Sequence, residues 1–380
     1  MPEFLDPEHL ALSERTQAFI ETTLAPLEVG LEAHAPIPND VRDQVIEASR
    51  AGGFFGMSQP KAFGGSEAGP LSLTIVREAL AAANLKLAGL VLGPGPGVLA
   101  SAEGLLRDHY LVPLMRGEKR GAFGFTEPDD ASRPTTARRD GDALVVNGAK
   151  SYVSGGDRAD FINVVLQVEP SEIDGGGAAL VVVDRDTPGV VIEQRFETLD
   201  GSSHVFMRFN DVRVPASHIL GKVGEGMPRA MRQIGDIRIS MSAQACGLML
   251  WTLDYITNHL KAPHRSGSPL GDREGVRMRY ADMRIQAYAA RSMLYRTARL
   301  AEAGENVINE GIATKVFTTE TVGEIVDQAL QLCGGNALVV GHPLEALYRR
   351  VRAMRFAEGA SDILRLNLAR GRLELDKGRI

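Results

Sequence analysis

Three stretches carry residue types that could do chemistry. Residues 121–128 (GAFGFTEP) are mostly small, so the backbone can approach a flat ligand closely, and Thr126 adds a hydroxyl and an N–H for ring heteroatoms. Residues 150–156 (KSYVSGG) set Tyr152 and Ser154 two apart, hence on one side of an extended chain. In residues 355–361 (RFAEGAS), Ala357, Gly359 and Ala360 are small enough to break a helix running through Arg349 and Phe356. That break leaves the Glu358 carboxylate at a loop tip, with Ser361 placed to cap the next helix. Each stretch has a plainer reading. The first can be a strand stopped by a proline, Tyr152 a core aromatic, and Glu358 a solvated residue in a helix–helix turn.

Other spellings fail on context. Gly95-x-Gly97-x-x-Ala100 fits a loose dinucleotide fingerprint, but its flanks read as helical and Pro96 removes an N–H that a pyrophosphate would need. Gly221-Lys222 lacks the first glycine and the Ser/Thr of a phosphate loop. The eight histidines never pair at His-x-x-x-His spacing and no Cys-x-x-Cys occurs, so a metal site has no support. There is no Gly-x-Ser-x-Gly elbow.

The elements that would position these stretches fall into three regions, which the pattern places at 1–120, 121–225 and 226–380. The first is helical, with apolar residues at helical spacing near 10–24, 41–50, 71–83 and 100–115. The second shows β-rich runs at 143–146, 161–168, 179–183, 190–193 and 205–209, separated by turn signals such as Asp140-Gly141 and Asn147-Gly148. With no helix of useful length between them, these runs imply an antiparallel sandwich or barrel. The third returns to long helices over 238–260, 276–303 and 308–333 and after Leu344, which implies a helical bundle. The fold class is therefore α+β: a helical N-terminal domain, a middle β domain and a C-terminal four-helix bundle.

Composition sets the outer limits. The 380 residues include 42 basic and 48 acidic side chains, for a net charge of −6, which disfavours a nucleic-acid or anionic-membrane surface. A hydrophobic fraction of 44% rules out wholesale disorder. No apolar run reaches the roughly 18 residues of a membrane span, and the acidic N-terminus is not signal-like. Cys246 and Cys333 lie in apolar helical patterns and read as buried thiols of a cytoplasmic protein.

Taken together and in order, the motifs resemble the acyl-CoA dehydrogenase family of flavoproteins. Residues 60–65 (PKAFGG) match its Pro-x-x-x-Gly-Gly loop, 123–128 its Thr-Glu-Pro segment and 150–156 its Lys-x-(aromatic) segment. Residues 238–247 match its Arg-x-x-x-Ala-Ala-x-x-x-Gly helix, 280–283 its Leu-Ala-Asp-Met, and 355–370 its C-terminal Glu-Gly-Thr-Ser motif. The resemblance implies an FAD-dependent α,β-desaturation of an acyl-CoA or acyl-carrier-protein thioester. In it Glu358 takes the α-proton and the β-hydride goes to flavin N5, with electrons passed to an electron-transfer flavoprotein or similar acceptor. It further implies that Phe123, Phe125 and Thr126 lie along one flavin edge and Tyr152 and Ser154 along the other. Ser132, Arg238 and Gly359 would contact the substrate. Gln331, Gly334 and Gly335 would contact the FAD of a neighbouring subunit in a homotetramer or dimer.

The chain also departs from the family pattern. Pro263 replaces the pyrophosphate arginine, with Arg265 a substitute two residues on; a phenylalanine has become Ser266, and Glu274 stands where a glutamine is usual. Ala360 and Asp362 alter the last motif, and Asp129 and Asp130 add carboxylates near phosphates. Ala357, in place of the usual tyrosine, implies a roomier cleft for a bulky or branched acyl group. These departures keep open two alternatives. One is a same-fold enzyme with other chemistry (an oxidase, a reduced-flavin monooxygenase or a desulfinase). The other is a supporting subunit of a heteromeric dehydrogenase with an incomplete FAD site.

Overall fold

Proline and side-chain caps decide where the first helices begin in the computed structural model, which describes residues 4–31, 35–131, 134–172, 175–376 and 378. Helix α1 (Pro7–Phe19) starts on Asp6, whose carboxylate accepts the His9 N–H at 2.9 Å, with Pro7 in the first turn. It runs through a π turn at Ile20–Leu24 into the short α2 (Ala25–Glu28). Helix α3 (Asn39–Ala51) follows, then α4 (Pro70–Ala83), which opens on Pro70 and stops where Asn84 turns left-handed at φ 51°. Two short helices, α5 (Gly104–Leu106) and α6 (Val112–Arg116), precede the sheet. After it come α7 (Gly226–Lys261), α8 (Glu274–Glu302), α9 (Ile308–Cys333), α10 (Pro343–Ala353) and α11 (Ser361–Leu373). The helical–β–helical order read from the sequence holds.

Among the described residues the sheet has seven strands: β1 (Gly121–Gly124), β2 (Thr136–Asp140), β3 (Ala143–Ser154), β4 (Phe161–Val168), β5 (Gly177–Asp184), β6 (Val190–Glu197) and β7 (Ser203–Pro215). Most pairings are antiparallel, as expected from the short connections. Strand β4 adds a parallel edge: its first half lies beside β1 and its last residues beside β2, while β5 covers the opposite edge. Strand β2 (TARRD) carries no apolar alternation, which is why the pattern misses it.

Strand β4 reads as a continuous apolar run because both its faces are buried. Ile162, Val164, Leu166 and Val168 point into one core, with β3, β5 and β7; Phe161 and Val165 point into another, against Val98, Leu106, Tyr110 and Met115. Strand β6 instead carries Glu193, Arg195 and Glu197 on an exposed edge, which discourages pairing with another chain.

The contacts group the chain into two compact units. One holds residues up to 58, 66–93 and 235 onward; the other holds 59–65 and 94–234. Within the first unit α4 serves two cores. Val76 and Leu80 pack with Leu24, Val45 and Phe54, whereas Leu71 and Ile75 join the α7–α10 bundle. Helix α7 approaches α4 so closely at Gly247 that a Cβ there would run into the Glu78 carbonyl and the Ala81 methyl.

The same seam buries an ion pair. Arg291 on α8 donates to the two carboxylate oxygens of Glu78 at 2.6 and 3.0 Å, and the Tyr295 hydroxyl donates at 2.6 Å. Cys246 lies within reach of this cluster, wholly buried, and burial pushes its thiol well up. Cys333 is half-buried rather than buried as expected, and both thiols are free.

Removing one partner strands a buried charge. Glu78→Ala should lower the stability of this unit by about 3–5 kcal/mol, read from the denaturant midpoint. Adding Arg291→Met should recover part of that loss; a double variant no better than the single would show that the pair is not coupled.

Candidate functional site

Residues 354–360 join α10 to α11, and the site in the first unit is built on this turn. Helix α10 ends at Ala353, earlier than Phe356, because the backbone turns left-handed at Glu358 (φ 56°) and Gly359 (φ 108°). A non-glycine residue there costs on the order of 1–3 kcal/mol, so something must hold it. Arg238 Nε of α7 donates to the Glu358 carbonyl at 3.1 Å. Lys315 Nζ of α9 donates to the Arg355 and Gly359 carbonyls at 3.1 and 2.8 Å. The Ser361 N–H closes the turn onto the Arg355 carbonyl at 3.0 Å. The cap position itself falls on Ala360, so the expected Ser361 side-chain cap is not made.

These cations surround a desolvated acid. Burial raises the Glu358 carboxyl above its ordinary value, opposed first by Arg238 and then by Lys315. Burial also lowers the Lys315 ammonium to about 8, aided by Arg238 and resisted by Glu358 and Glu320. Arg238 is likewise lowered by burial, with Glu358 opposing. Outside this group, Glu320 accepts two hydrogen bonds from Arg365 at 2.7 and 2.6 Å, and its carbonyl accepts one from Arg355 Nη2 at 3.2 Å. A carboxyl raised this way is suited to act as a base. Arg238 meets Glu358 through the main chain rather than by an ion pair with its carboxylate. Lys315 escaped the sequence reading. Its signal is a lysine on the buried face of α9, in helical step with Ile312 and Thr319.

The second unit carries the aromatic residues. Phe123 and Phe125 stack with centroids 5.9 Å apart, and Thr126 follows with its side chain exposed. Lys150, only 2% exposed, fixes this segment: its Nζ donates to the Phe125 carbonyl and to Glu127 Oε1, each at 3.0 Å. Glu127 Oε1 also accepts the Thr135 N–H at 2.7 Å, and the Thr126 carbonyl accepts the Ser151 N–H at 2.9 Å. Tyr152 sits where the β3–β7 register shifts between Lys150 and Val153, and its φ of 51° turns the ring outward, 58% exposed. Phe196 and Phe206 meet that ring edge-on at 5.5 and 5.9 Å, and the Ser154 hydroxyl lies 3.1 Å from His204 Nδ1. Tyr152 and Ser154 thus share the open side, by way of a bulge rather than a regular extended chain. An exposed aromatic wall beside an exposed hydroxyl suits a planar heteroaromatic ligand, so these residues fit a flavin.

Gln331, Gly334 and Gly335 open onto a groove of about 430 Å³ with Leu338 and Tyr348, and Gln331 also edges a larger one of about 840 Å³. Glu358 lines neither. A Cβ at Gly334 or Gly335 would meet open space, as a backbone-approach surface requires. Arg265 lies on the exposed loop after α7, where His264 and Arg273 both meet the Ser266 hydroxyl, at 2.8 and 2.9 Å. Ser132 lies outside the described residues.

Family models described as the N-terminal, middle and C-terminal domains of acyl-CoA dehydrogenase match residues 6–118, 122–212 and 224–373. The chain is 29% identical to an acryloyl-CoA reductase (NADH) from Anaerotignum propionicum, over 96% of this chain and 94% of that one. It is 28% identical to the mitochondrial short-chain specific acyl-CoA dehydrogenase of Rattus norvegicus, over 96% and 90%. Among solved structures, a probable acyl-CoA dehydrogenase from Mycobacterium abscessus superposes with a TM-score of 0.82 at 28% identity, covering 96% of this chain and 98% of that one.

The Lys150–Glu127 pair yields a prediction of its own. Burial opposes ionisation of Glu127, but the Thr135 N–H and Lys150 outweigh it and hold the carboxyl below its ordinary value. The pair therefore contributes stability that is present above the ordinary carboxylate range and is lost as pH falls through the lowered value. Lys150→Met should reduce the acid-induced loss of stability in the sheet-containing unit and lower its thermal midpoint at neutral pH. A wild-type midpoint at neutral pH in the Met variant would contradict the assignment.

Proposed function

The chain belongs to the acyl-CoA dehydrogenase family, and on that premise we propose that Glu358 removes the α-proton of an acyl thioester whose electrons then leave for a separate electron-transfer protein. Flavin-dependent dehydrogenation of acyl-CoA with FAD is the chemistry of the family. The observation that carries the reading is the desolvated Glu358 carboxyl, presented on a left-handed turn between Arg238 and Lys315.

An acyl thioester α-proton is weakly acidic, so the base must be poised near working pH and the charge that develops on the thioester carbonyl needs donors. Glu358 takes the proton as its carboxylate. Its own N–H, at a turn where Arg238 and Lys315 already take the Arg355, Glu358 and Gly359 carbonyls, would donate to the thioester oxygen, with Gly359 beside it. Bound FAD supplies the acceptor for the β-hydride and its electron pair. For the cofactor, Phe123, Phe125 and Thr126 would hold one edge and Tyr152 and Ser154 the other, with Arg265 near the pyrophosphate. Gln331, Gly334 and Gly335 would serve the FAD of a neighbouring copy. Exposed Leu338, Val340 and Tyr288 support a dimer or tetramer, since a lone subunit would leave them in water. Ala357, exposed beside the base, favours a bulky or branched acyl group.

One second reading has a specific observation behind it. A relative similar along the full chain is named a reductase, and by microscopic reversibility the protonated Glu358 would return the α-proton to an enoyl thioester.

Purified protein should be yellow, elute as a dimer or tetramer, and bleach anaerobically with a suitable acyl-CoA. Return of the yellow colour when an enoyl-CoA is added to externally reduced protein, faster than any acyl-CoA bleaches the oxidised form, would favour the reductase direction. Colourless protein that acquires FAD on co-expression with a related chain would indicate a supporting subunit. Glu358→Gln should slow bleaching by roughly 10²–10⁴-fold without loss of FAD; full bleaching would sink the base assignment. Because the Glu358 carboxyl is raised, wild-type bleaching should be present above the raised value and disappear as pH falls through it, at a pH above the ordinary value of a glutamate.

A further inference from the structure

We propose that Lys315 is a positioning residue for Glu358, its ammonium tying together the two ends of the turn that presents the carboxylate. The proposal rests on Glu358 being the base. The two carbonyls that Lys315 binds, Arg355 and Gly359, bracket Phe356, Ala357 and Glu358, so one donor spans the whole turn. Arg238 holds only the carbonyl of Glu358 itself. A lysine at zero exposure is costly to bury. A Met of similar volume would pack in its place but would leave two part-buried carbonyls without that donor, the Gly359 one among them and the Arg355 one keeping only the Ser361 N–H. The site thus uses lysine where a hydrophobe would be cheaper, at the position that fixes a left-handed base.

The charged groups facing Lys315 and Glu358 are Arg238 from α7 and Glu320 from α9 itself; Arg355, after α10, and Arg365 from α11 bear on Glu320 in turn, and Asp362 meets Arg365. Glu320 is engaged by Arg365 and Arg355, so the positive charge of Lys315 bears on Glu358. Without that charge the carboxyl loses an ally against burial and holds its proton to higher pH.

The test compares wild type, Lys315→Met, Lys315→Gln and Thr319→Val by anaerobic bleaching across a pH series, with FAD absorbance and thermal midpoint recorded for each. The acyl-CoA is the one that bleaches wild type fastest. Thr319 is buried one turn along the same helix and controls for loss of α9 stability alone. Lys315→Met should bleach roughly tenfold to a hundredfold more slowly at neutral pH, as a misplaced base would, with little change in KM. Its acid limb should move to higher pH. Lys315→Gln keeps a donor without the charge, so its limb should move the same way with a smaller loss of rate; it also serves if the Met variant does not fold. Thr319→Val should lower the thermal midpoint and leave the limb in place. Wild-type limbs in both Lys315 variants, or an equal shift in Thr319→Val, would overturn the proposal. If wild type holds FAD yet no acyl-CoA bleaches it, the base reading fails first and this one falls with it.

Discussion

A carboxylate serves as a base near neutral pH only when water is kept from it, and withholding water also removes what would otherwise stabilise its charge. The turn at Glu358, proposed to carry the base, has to meet that tension. Burial raises the acid, and two cations set back from its carboxyl by way of main-chain carbonyls keep it ionisable. Moving either cation onto the carboxylate itself would have made an ordinary ion pair with a depressed pKa and a poor base. The helices follow from this need. Arg238 must come from α7, Lys315 from α9 and the turn from the α10–α11 junction, and the shared apolar core of α7–α10 holds those elements in place.

The sheet-containing unit solves a different problem with the same part. Lys150, almost wholly buried, donates to the Phe125 carbonyl and to Glu127, so the segment bearing Thr126 is tied down from beneath while its side chain faces out. In both units a lysine beneath a loop of the proposed site binds main-chain carbonyls. In neither does it offer its charge to the open side. A main-chain anchor fixes a loop without dictating which side chains the loop displays.

Much of this was legible because long periodic segments and motif order survive in the chain. Helix α9 was readable to its ends, and β4 was visible as an apolar run although its two-faced burial was not. Strand β2 was lost because its polar residues give no period, and the parallel edge of β4 was lost because partner choice is a long-range fact that no local pattern encodes. The same distinction runs through the site. Glu358, Thr126 and Tyr152 stood out as residues in small-residue contexts. Lys315 did not, because its partners lie about forty residues away and meet it only through backbone oxygens. The Ser361 cap was misplaced by one residue, because the helix begins one residue earlier, on Ser361 itself, directly after Ala360.

The depth of the two lysines has a chemical corollary. An activated thioester is an acyl donor toward amines as well as a substrate, and an amine whose pKa has been lowered to about 8 would be among the first to react if it could be reached. Lys315 at zero exposure and Lys150 at 2% keep their nitrogens against carbonyl oxygens and out of solution. The burial that lowers the ammonium therefore also denies it an electrophile. A protein working among acyl-CoAs can carry stray acylation on its surface lysines while the two that hold its loops stay unmodified.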